Sequence, residues 1–309
     1  MKNASNKMKN ISNKMKGVLI TGATGFVGKC LIKKLPKNLK VRCLIEKGTH
    51  LKESKENIEI IKGDLSDISS LERATKDISI VIHLAAVISS RDKTQFRKVN
   101  IKGTENLINA CVKNKIRKFI YMSSCDIILK KKDYYAYSKI KAEEIVKSSG
   151  MNYTILRPTV IYGKGDRGNM NLLFKIIKKC PLIPIAGKGT NKLQPVYVED
   201  VVESIIKCLN LKKKNQVYFI AGSKELTYNE LIDKISGVLS RKTIKIHLPF
   251  FMIKVLLKPY EVFSKNPSVS YKKLSVREDK TCDISKARKD LNFKPISFEQ
   301  GLKKTLNNN

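Results

Sequence analysis

Residues 133–144 read Asp-Tyr-Tyr-Ala-Tyr-Ser-Lys-Ile-Lys-Ala-Glu-Glu and carry the side chains best suited to moving a proton. Tyr135 and Lys139 are four apart, so on a helix they share a face. Tyr137 and Lys141 have the same spacing, and spacing alone leaves both registers open. A phenol with a pKa near 10 is a poor base at neutral pH, and bringing it to 7 takes roughly 4 kcal/mol. A nearby ammonium supplies part of that by favouring the phenolate. An apolar run, Lys118 to Met122, ends in Ser123-Ser124 just upstream, where a serine hydroxyl could hold a substrate oxygen against the tyrosine. The chemistry this suggests is proton transfer to or from an alcohol or ketone.

Such a pair needs a scaffold, and the scaffold begins at Gly17 to Gly28, Gly-Val-Leu-Ile-Thr-Gly-Ala-Thr-Gly-Phe-Val-Gly. Val18 to Ile20 predicts a buried parallel strand that breaks into glycines as a helical pattern starts over Phe26 to Leu35. Gly22 permits a tight turn, Gly25 lets backbone N–H groups approach a pyrophosphate, and Gly28 lets the helix pack on the sheet. The helix N-terminus, with its unpaired N–H groups, then faces the phosphates. Val41 to Ile45 predicts a second strand ending on Glu46, placed to accept hydrogen bonds from an adenosine ribose. That favours NAD, while Arg42 and Lys47 argue for NADP.

Further strands are expected at Ile58 to Ile61, Ile78 to Ile82 and Lys118 to Met122, with helices near Ser69 to Ala74 and over Thr94 to Asn114. Alternation of apolar strands with helices predicts an α/β fold, a doubly wound parallel sheet covered on both faces. Ligands in such sheets sit at the carboxyl ends of the strands.

In sum and order these motifs resemble the extended short-chain dehydrogenase/reductase family, the NAD-dependent epimerase/dehydratase group. The resemblance rests on Thr21 to Gly28, Gly63-Asp64-Leu65, His83 to Ala86, Val99 to Thr104, Ser123-Ser124, the Tyr/Lys helix, Arg157 to Gly163 and Val196 to Val201, and spans roughly residues 17–305. It implies a Rossmann-type sheet over residues 17–161 and, over 162–309, a smaller and partly interleaved substrate lobe. The family pattern Tyr-x-x-Ser-Lys with a later glutamate selects Tyr135, Ser138, Lys139 and Glu143. By resemblance Ser124, Tyr135 and Lys139 are catalytic. Gly22, Thr24, Gly25, Phe26, Val27, Gly28 and Glu46 would cradle the dinucleotide, and Asp64 and Leu65 would lie by the adenine. Ala85, Ala86 and Asn100 would line the cofactor, with Thr159 and Val160 at the nicotinamide and Lys139 on its ribose.

The implied activity is epimerisation, or a related redox step, on a nucleotide-activated sugar with NAD. Two departures bear on the substrate. Ile127-Ile128 replaces the usual Tyr-Gly after the serines, and Lys192 to Pro195 stands where an arginine often meets the diphosphate, with Lys192 a partial substitute. Asp126 falls near the acid of sugar dehydratases, although a turn-capping aspartate also fits. One alternative is a dehydrogenase of a steroid-like or lipid-linked alcohol, motivated by Phe250-Phe251-Met252-Ile253 with Val255-Leu256-Leu257 and by the missing arginine. Another is a non-catalytic dinucleotide-binding protein.

Composition bounds the rest. Seven cysteines, odd in number and without a C-x-x-C pair, suggest neither a disulfide framework nor a zinc site, and three scattered histidines give no metal ligand set. A reducing cytoplasm fits. The net charge of +35 would attract polyanions or an anionic membrane surface weakly, but the lysines form no nucleic-acid module. Residues 1–16, with five lysines and a repeated Asn-Lys-Met-Lys, are expected to be a disordered arm. In the second half, helices are expected over Asn169 to Cys180, over Thr227 to Leu239 behind a Thr227/Glu230 capping box, after Asp283, and after Ser297. Family resemblance suggests a homodimer.

Overall fold

The computed structural model describes residues 17–51, 56–249, 251, 252, 255 and 278–306. The basic arm 1–16 and most of the apolar stretch after Pro249 lie outside the described residues.

Seven parallel strands form the central sheet: β1 (Val18–Thr21), β2 (Val41–Ile45), β3 (Ile58–Lys62), β4 (Ile80–His83), β5 (Lys118–Met122), β6 (Tyr153–Pro158) and β11 (Gln216–Ile220). Their order is β11-β6-β5-β4-β1-β2-β3. The order reverses between β1 and β4, which pair with Thr21 opposite His83. That reversal is where a doubly wound sheet opens a crevice.

Alternation along each strand feeds two cores. Val18 and Ile20 point to one face, where α1 (Phe26–Lys34), α6 (Val198–Leu209) and α8 (Ser285–Leu291) cover them with Leu31, Ile32, Val201, Ile205 and Leu291. Leu19, Val81, Phe119 and Tyr121 point to the other, under α2 (Ile68–Thr75), α3 (Gly103–Lys113) and α4 (Tyr134–Ser148) with Leu71, Leu107 and Ala142. A third core gathers, around Tyr162, Leu173, Ile185, Leu231 and Phe298 from α5 (Asn169–Lys179), β8 (Leu182–Ala186), α7 (Tyr228–Val238) and α9 (Phe298–Leu306). Four short strands complete the second lobe: β7 (Ile161–Tyr162) with β10 (Val196–Tyr197), and β9 (Lys192–Leu193) with β12 (Leu226–Thr227). The last strand, β13 (Ile244–Leu248), lies parallel to β8.

Local signals account for several boundaries. Thr227 and Glu230 form a reciprocal capping box at α7, and Ser297 and Gln300 exchange hydrogen bonds of 3.0 and 3.2 Å ahead of α9. Two expectations shift. The helix expected over Thr94 to Asn114 opens with a π-helical segment, Phe96–Lys102, and only then continues as α3. The π-turn carries the buried Asn100, whose amide reaches away from the helix axis. Asp283 does not cap α8: it closes a local turn by accepting from Ser285 N and Oγ, and the helix starts one residue after Ile284.

Candidate active site

The glycine turn at the end of β1 has the geometry its spacing implies. Gly22 holds φ +74°, and a Cβ there would sit 2.6 Å from Ala85 N, so the turn and the β4 loop touch backbone to backbone. At Gly28 a Cβ would lie 2.2 Å from Gly22 O, so α1 packs directly on the turn. Gly25 is exposed and caps α1 without a side-chain bond. The first bond of the helical ladder runs from Lys29 N to Gly25 O, which leaves the amides of Phe26, Val27 and Gly28 ahead of it. Thr24 is half-buried beside them. Phe26 and Val27 pack against the core of the second lobe, joining the turn to that lobe. Half-buried Ala85 and Ala86 form the opposite lip.

Around this crevice the expected residues divide into those facing it and those that brace it. Glu46 follows β2 directly, with its side chain exposed, and its carbonyl closes the next turn on Thr49. Arg42 is committed elsewhere: its guanidinium donates to Glu59 at 2.7 Å and to the carbonyls of Arg73, Ala74 and Lys76 at the end of α2. This removes the arginine that favoured a 2′-phosphate. Asp64 uses Oδ1 to accept from Ser66 N, Ser66 Oγ and Asp67 N, and the Ser66 hydroxyl above all holds its carboxyl below the usual range. Leu65 is buried against Gly103.

Asn100 braces the crevice. Its Oδ1 accepts from Val87 N at 2.8 Å, and Nδ2 donates to Val87 O and to Ser138 Oγ, both at 2.9 Å. Both amide protons are thereby used inside the protein, and Asn100 ties the β4 loop to α4 instead of reaching outward. Thr159 is similar: its hydroxyl donates to Gln194 O at 2.5 Å and its N–H to Ile220 O. Val160, half-buried, anchors the second lobe by accepting from Val196 N.

The structure brings Ser124, Tyr135 and Lys139 together at the ends of β5 and α4. Asp133 caps α4 by accepting from Ala136 N, and this sets the helix phase so that Lys139 is 2% exposed and Ser138 1%. Tyr137 is 52% exposed and Lys141 pairs outward with Glu144, so the alternative register faces solvent. Lys139 Nζ donates to Met122 O at 2.6 Å and to Tyr121 Oη at 3.2 Å, and lies 6.0 Å from the Tyr135 ring centroid. Ser124 accepts from Asp126 N at 3.1 Å, and its hydroxyl faces the Tyr135 oxygen and favours the phenolate.

Electrostatics depart from the simple expectation of a lysine-activated phenol. Burial, reinforced by the Asp126 carboxylate, pushes the Tyr135 phenol above its ordinary value, and Ser124 only partly opposes this. Burial lowers Lys139 to about 7, against an upward pull from Glu143. In the free chain Tyr135 is thus a protonated phenol.

Ion pairs frame the site, and two of their members, Lys147 and Lys280, had no part in the sequence reading. Glu143, 3% exposed at its side chain, receives Arg157 through Nε at 2.9 Å and Nη2 at 2.6 Å, and Lys147 at 3.0 Å. Lys280 crosses from the C-terminal segment to Asp126 at 2.9 Å. Asp126 therefore serves as that lysine's partner, and its carboxylate caps no turn. Nothing at short range marks Lys280, which is 154 residues from its partner. Lys192 pairs with Glu225 at 3.1 Å on the surface.

The sequence model of the 3-beta hydroxysteroid dehydrogenase/isomerase family matches residues 19–249. The chain belongs to this family. Among curated relatives of the family member described here, a UDP-glucose 4-epimerase of Vibrio cholerae is 26% identical, covering 93% of this chain and 94% of its own. The N-acetyl-alpha-D-glucosaminyl-diphospho-ditrans,octacis-undecaprenol 4-epimerase of Escherichia coli O157:H7 is 29% identical, covering 94% of each chain. The fold matches that of the UDP-glucuronic acid 4-epimerase of Bacillus cereus, solved with UDP-glucuronic acid and NAD. The TM-score is 0.74 at 23% identity, over 94% of this chain and 97% of the other. Among the described residues no group of three or more His, Cys, Asp or Glu could hold a metal ion, and no helix is long and apolar enough to cross a membrane.

Proposed function

We propose that this family member is an NAD-dependent epimerase of a nucleotide-activated sugar, with Tyr135 as the proton-transfer group. The observation that carries this reading is the meeting of Ser124, Tyr135 and Lys139 with the glycine turn at the carboxyl edge of one parallel sheet. Full-length similarity to two sugar 4-epimerases supports the substrate class.

The residues present fit a dinucleotide. A Cβ at Gly22 would fill the narrow space between the turn and Ala85, and the free amides of Phe26, Val27 and Gly28 present donors and a partial positive charge to a pyrophosphate. Glu46, exposed beyond β2, offers a carboxylate to ribose hydroxyls, and the commitment of Arg42 favours NAD over NADP. Bound there, the cofactor would supply a hydride acceptor and, in its oxidised form, a positive ring charge.

The chain's own groups handle the proton. Ser124 orients the reacting hydroxyl against Tyr135. The Tyr135 oxygen takes the hydroxyl proton as the carbon-bound hydrogen leaves as hydride, and returns that proton when hydride comes back to the other face of the ketone. The Lys139 ammonium stabilises the phenolate that exists before the first transfer and after the second. A substrate hydroxyl in the crevice would also exclude water from a site whose lysine is already desolvated.

The test is turnover. Wild-type protein incubated with UDP-glucose or UDP-N-acetylglucosamine should yield the 4-epimer without net change in NADH absorbance, and Tyr135→Phe should lower kcat by on the order of 1,000-fold. Unchanged turnover in Tyr135→Phe overturns the assignment. Mass spectrometry of the denatured protein should release NAD.

A second reading, a dehydrogenase of a steroid-like or lipid-linked alcohol, has two supports. One is the family description itself. The other is the exposed Phe251 and Val255, each 69% accessible, with Met252 at 42%. Stoichiometric NADH on a sterol alcohol with none of the sugars turned over would favour it.

A further inference from the structure

Tyr121 lies in β5, an inner strand of the sheet, 1% exposed, one residue before the carbonyl that holds Lys139. Its hydroxyl is 3.2 Å from Lys139 Nζ and its ring centroid 4.6 Å from the same nitrogen.

Counting hydrogens fixes the direction of each bond around it. Thr104 has one hydroxyl proton, and at 2.6 Å it is given to the carbonyl of Asn100, which can only accept. The contact of 3.0 Å between Thr104 Oγ1 and His83 Nε2 must then be donated by the ring. His83 is 1% exposed, and burial lowers it to about 3, so the ring is neutral and its Nδ1 accepts from Thr21 Oγ1 at 2.6 Å. The Tyr121 oxygen accepts from Lys139, because an ammonium has no lone pair with which to accept. A hydroxyl oxygen in that role favours an ammonium over an amine. Of the three ammonium N–H groups, Met122 O and Tyr121 Oη fix two, and one remains for the active-site crevice.

We propose that Tyr121 is the positioning residue of Lys139, holding its ammonium through the hydroxyl oxygen at 3.2 Å and the face of its ring at 4.6 Å. The proposal rests on the reading of Lys139 as the cation beside Tyr135. The charged and titratable groups facing Lys139 are His83 from β4, Tyr121 from β5, and Tyr135 and Glu143 from its own helix. Glu143 is held in turn by Arg157 from β6.

The experiment measures the amine directly. Competitive trace labelling of the full chain with acetic anhydride across pH, read at Lys139 by peptide mass spectrometry, needs neither substrate nor cofactor. Wild type should titrate near pH 7. Tyr121→Phe keeps the ring and removes the acceptor, and should move the midpoint down by about one pH unit. An unchanged or raised midpoint in Tyr121→Phe overturns the proposal. If Tyr121→Phe fails to fold, 3-fluorotyrosine at position 121, a weaker acceptor, should give a smaller downward shift, and no shift there is equally fatal. The alkaline limb of kcat should follow the labelling midpoint. A shifted midpoint in a protein that turns over no sugar would locate the failure in the substrate reading and leave Tyr121 in place.

Discussion

Replacing Glu143 by glutamine separates fold from chemistry in a single substitution. The carboxylate, 3% exposed at its side chain, faces a bidentate guanidinium at 2.9 and 2.6 Å and a second cation, Lys147, at 3.0 Å. Burial raises its carboxyl, but the Arg157 hydrogen bonds and charge outweigh that, and the net effect is a lowered value. Glutamine keeps one acceptor oxygen and turns an NH₂ toward a guanidinium that can only donate. Arg157 is 17% exposed at its side chain, so solvent replaces little of what is lost. Breaking one partner of a buried pair costs about 3–5 kcal/mol, which for a chain of this size lowers Tm by roughly 5–8 °C. Thermal unfolding of the full chain near pH 7.5 measures it. The double replacement Glu143→Met with Arg157→Met, which removes both charges, should recover most of the loss. Glu143 also pulls the Lys139 proton affinity upward, so glutamine should carry the Lys139 labelling midpoint to lower pH as well. A drop in Tm below about 2 °C would refute the view of this pair as the brace between α4 and β6.

Other outcomes follow from the same geometry. Gly28→Ala would place a methyl group 2.2 Å from Gly22 O and 2.8 Å from Ala23 Cα, so α1 must retreat from the turn, and NAD titration should show affinity weaker by tenfold or more. Glu46→Ala should narrow the preference for NAD over NADP by about tenfold, whereas Arg42→Met, whose parent guanidinium is already committed, should leave the ratio unchanged and act on stability alone. Asp200, 7% exposed, is raised from 3.8 to about 6, chiefly by burial and against its bond from Ile296 N. The folded chain then keeps a proton between pH 4 and 6 that the unfolded chain releases, so the folded state loses up to about 3 kcal/mol as pH rises through that window. Asp200→Asn, which can still accept from Ile296 N, should therefore equal wild type near pH 3.5 and exceed it in urea denaturation at pH 7. A difference independent of pH would refute this.

Where the sequence was legible, the reason is local. Val18 to Gly28 announces a strand, a turn and a helix because the glycines stand where backbone meets backbone, and that constraint is written in residue type. The capping box at Thr227 is local in the same sense, whereas spacing left the phase of α4 open, and the structure shows Asp133 setting the helix start. What sequence did not disclose depends on pairs far apart in the chain. Lys280 meets Asp126 across 154 residues, and Thr159 meets Gln194 O across 35. Arg42 read as a possible phosphate ligand because Glu46, four residues on, was expected at the cofactor ribose, yet in space its neighbours are the carbonyls closing α2, 31 to 34 residues on. Asn100 was read as lining the cofactor, and the π-turn that points it inward has no signature in residue type.

The same nonlocality explains why the Tyr/Lys pair cannot be treated as an activated base from its spacing alone. Four residues on one helix face bring the two side chains near each other, but the proton affinity of each is set by what else is buried with it. Tyr135 has the Asp126 carboxylate and desolvation working against ionisation, and Lys139 has desolvation working against its charge. Each group alone is held in its neutral form, or close to it. Charge on one is the main thing that would make charge on the other affordable, so proton transfer and lysine protonation are coupled events. A site built this way stays inert in the absence of further positive charge and becomes basic when such charge is added beside the phenol. The pH dependence of turnover should consequently be that of the pair and its bound partners together, displaced from the values either residue shows in the free chain.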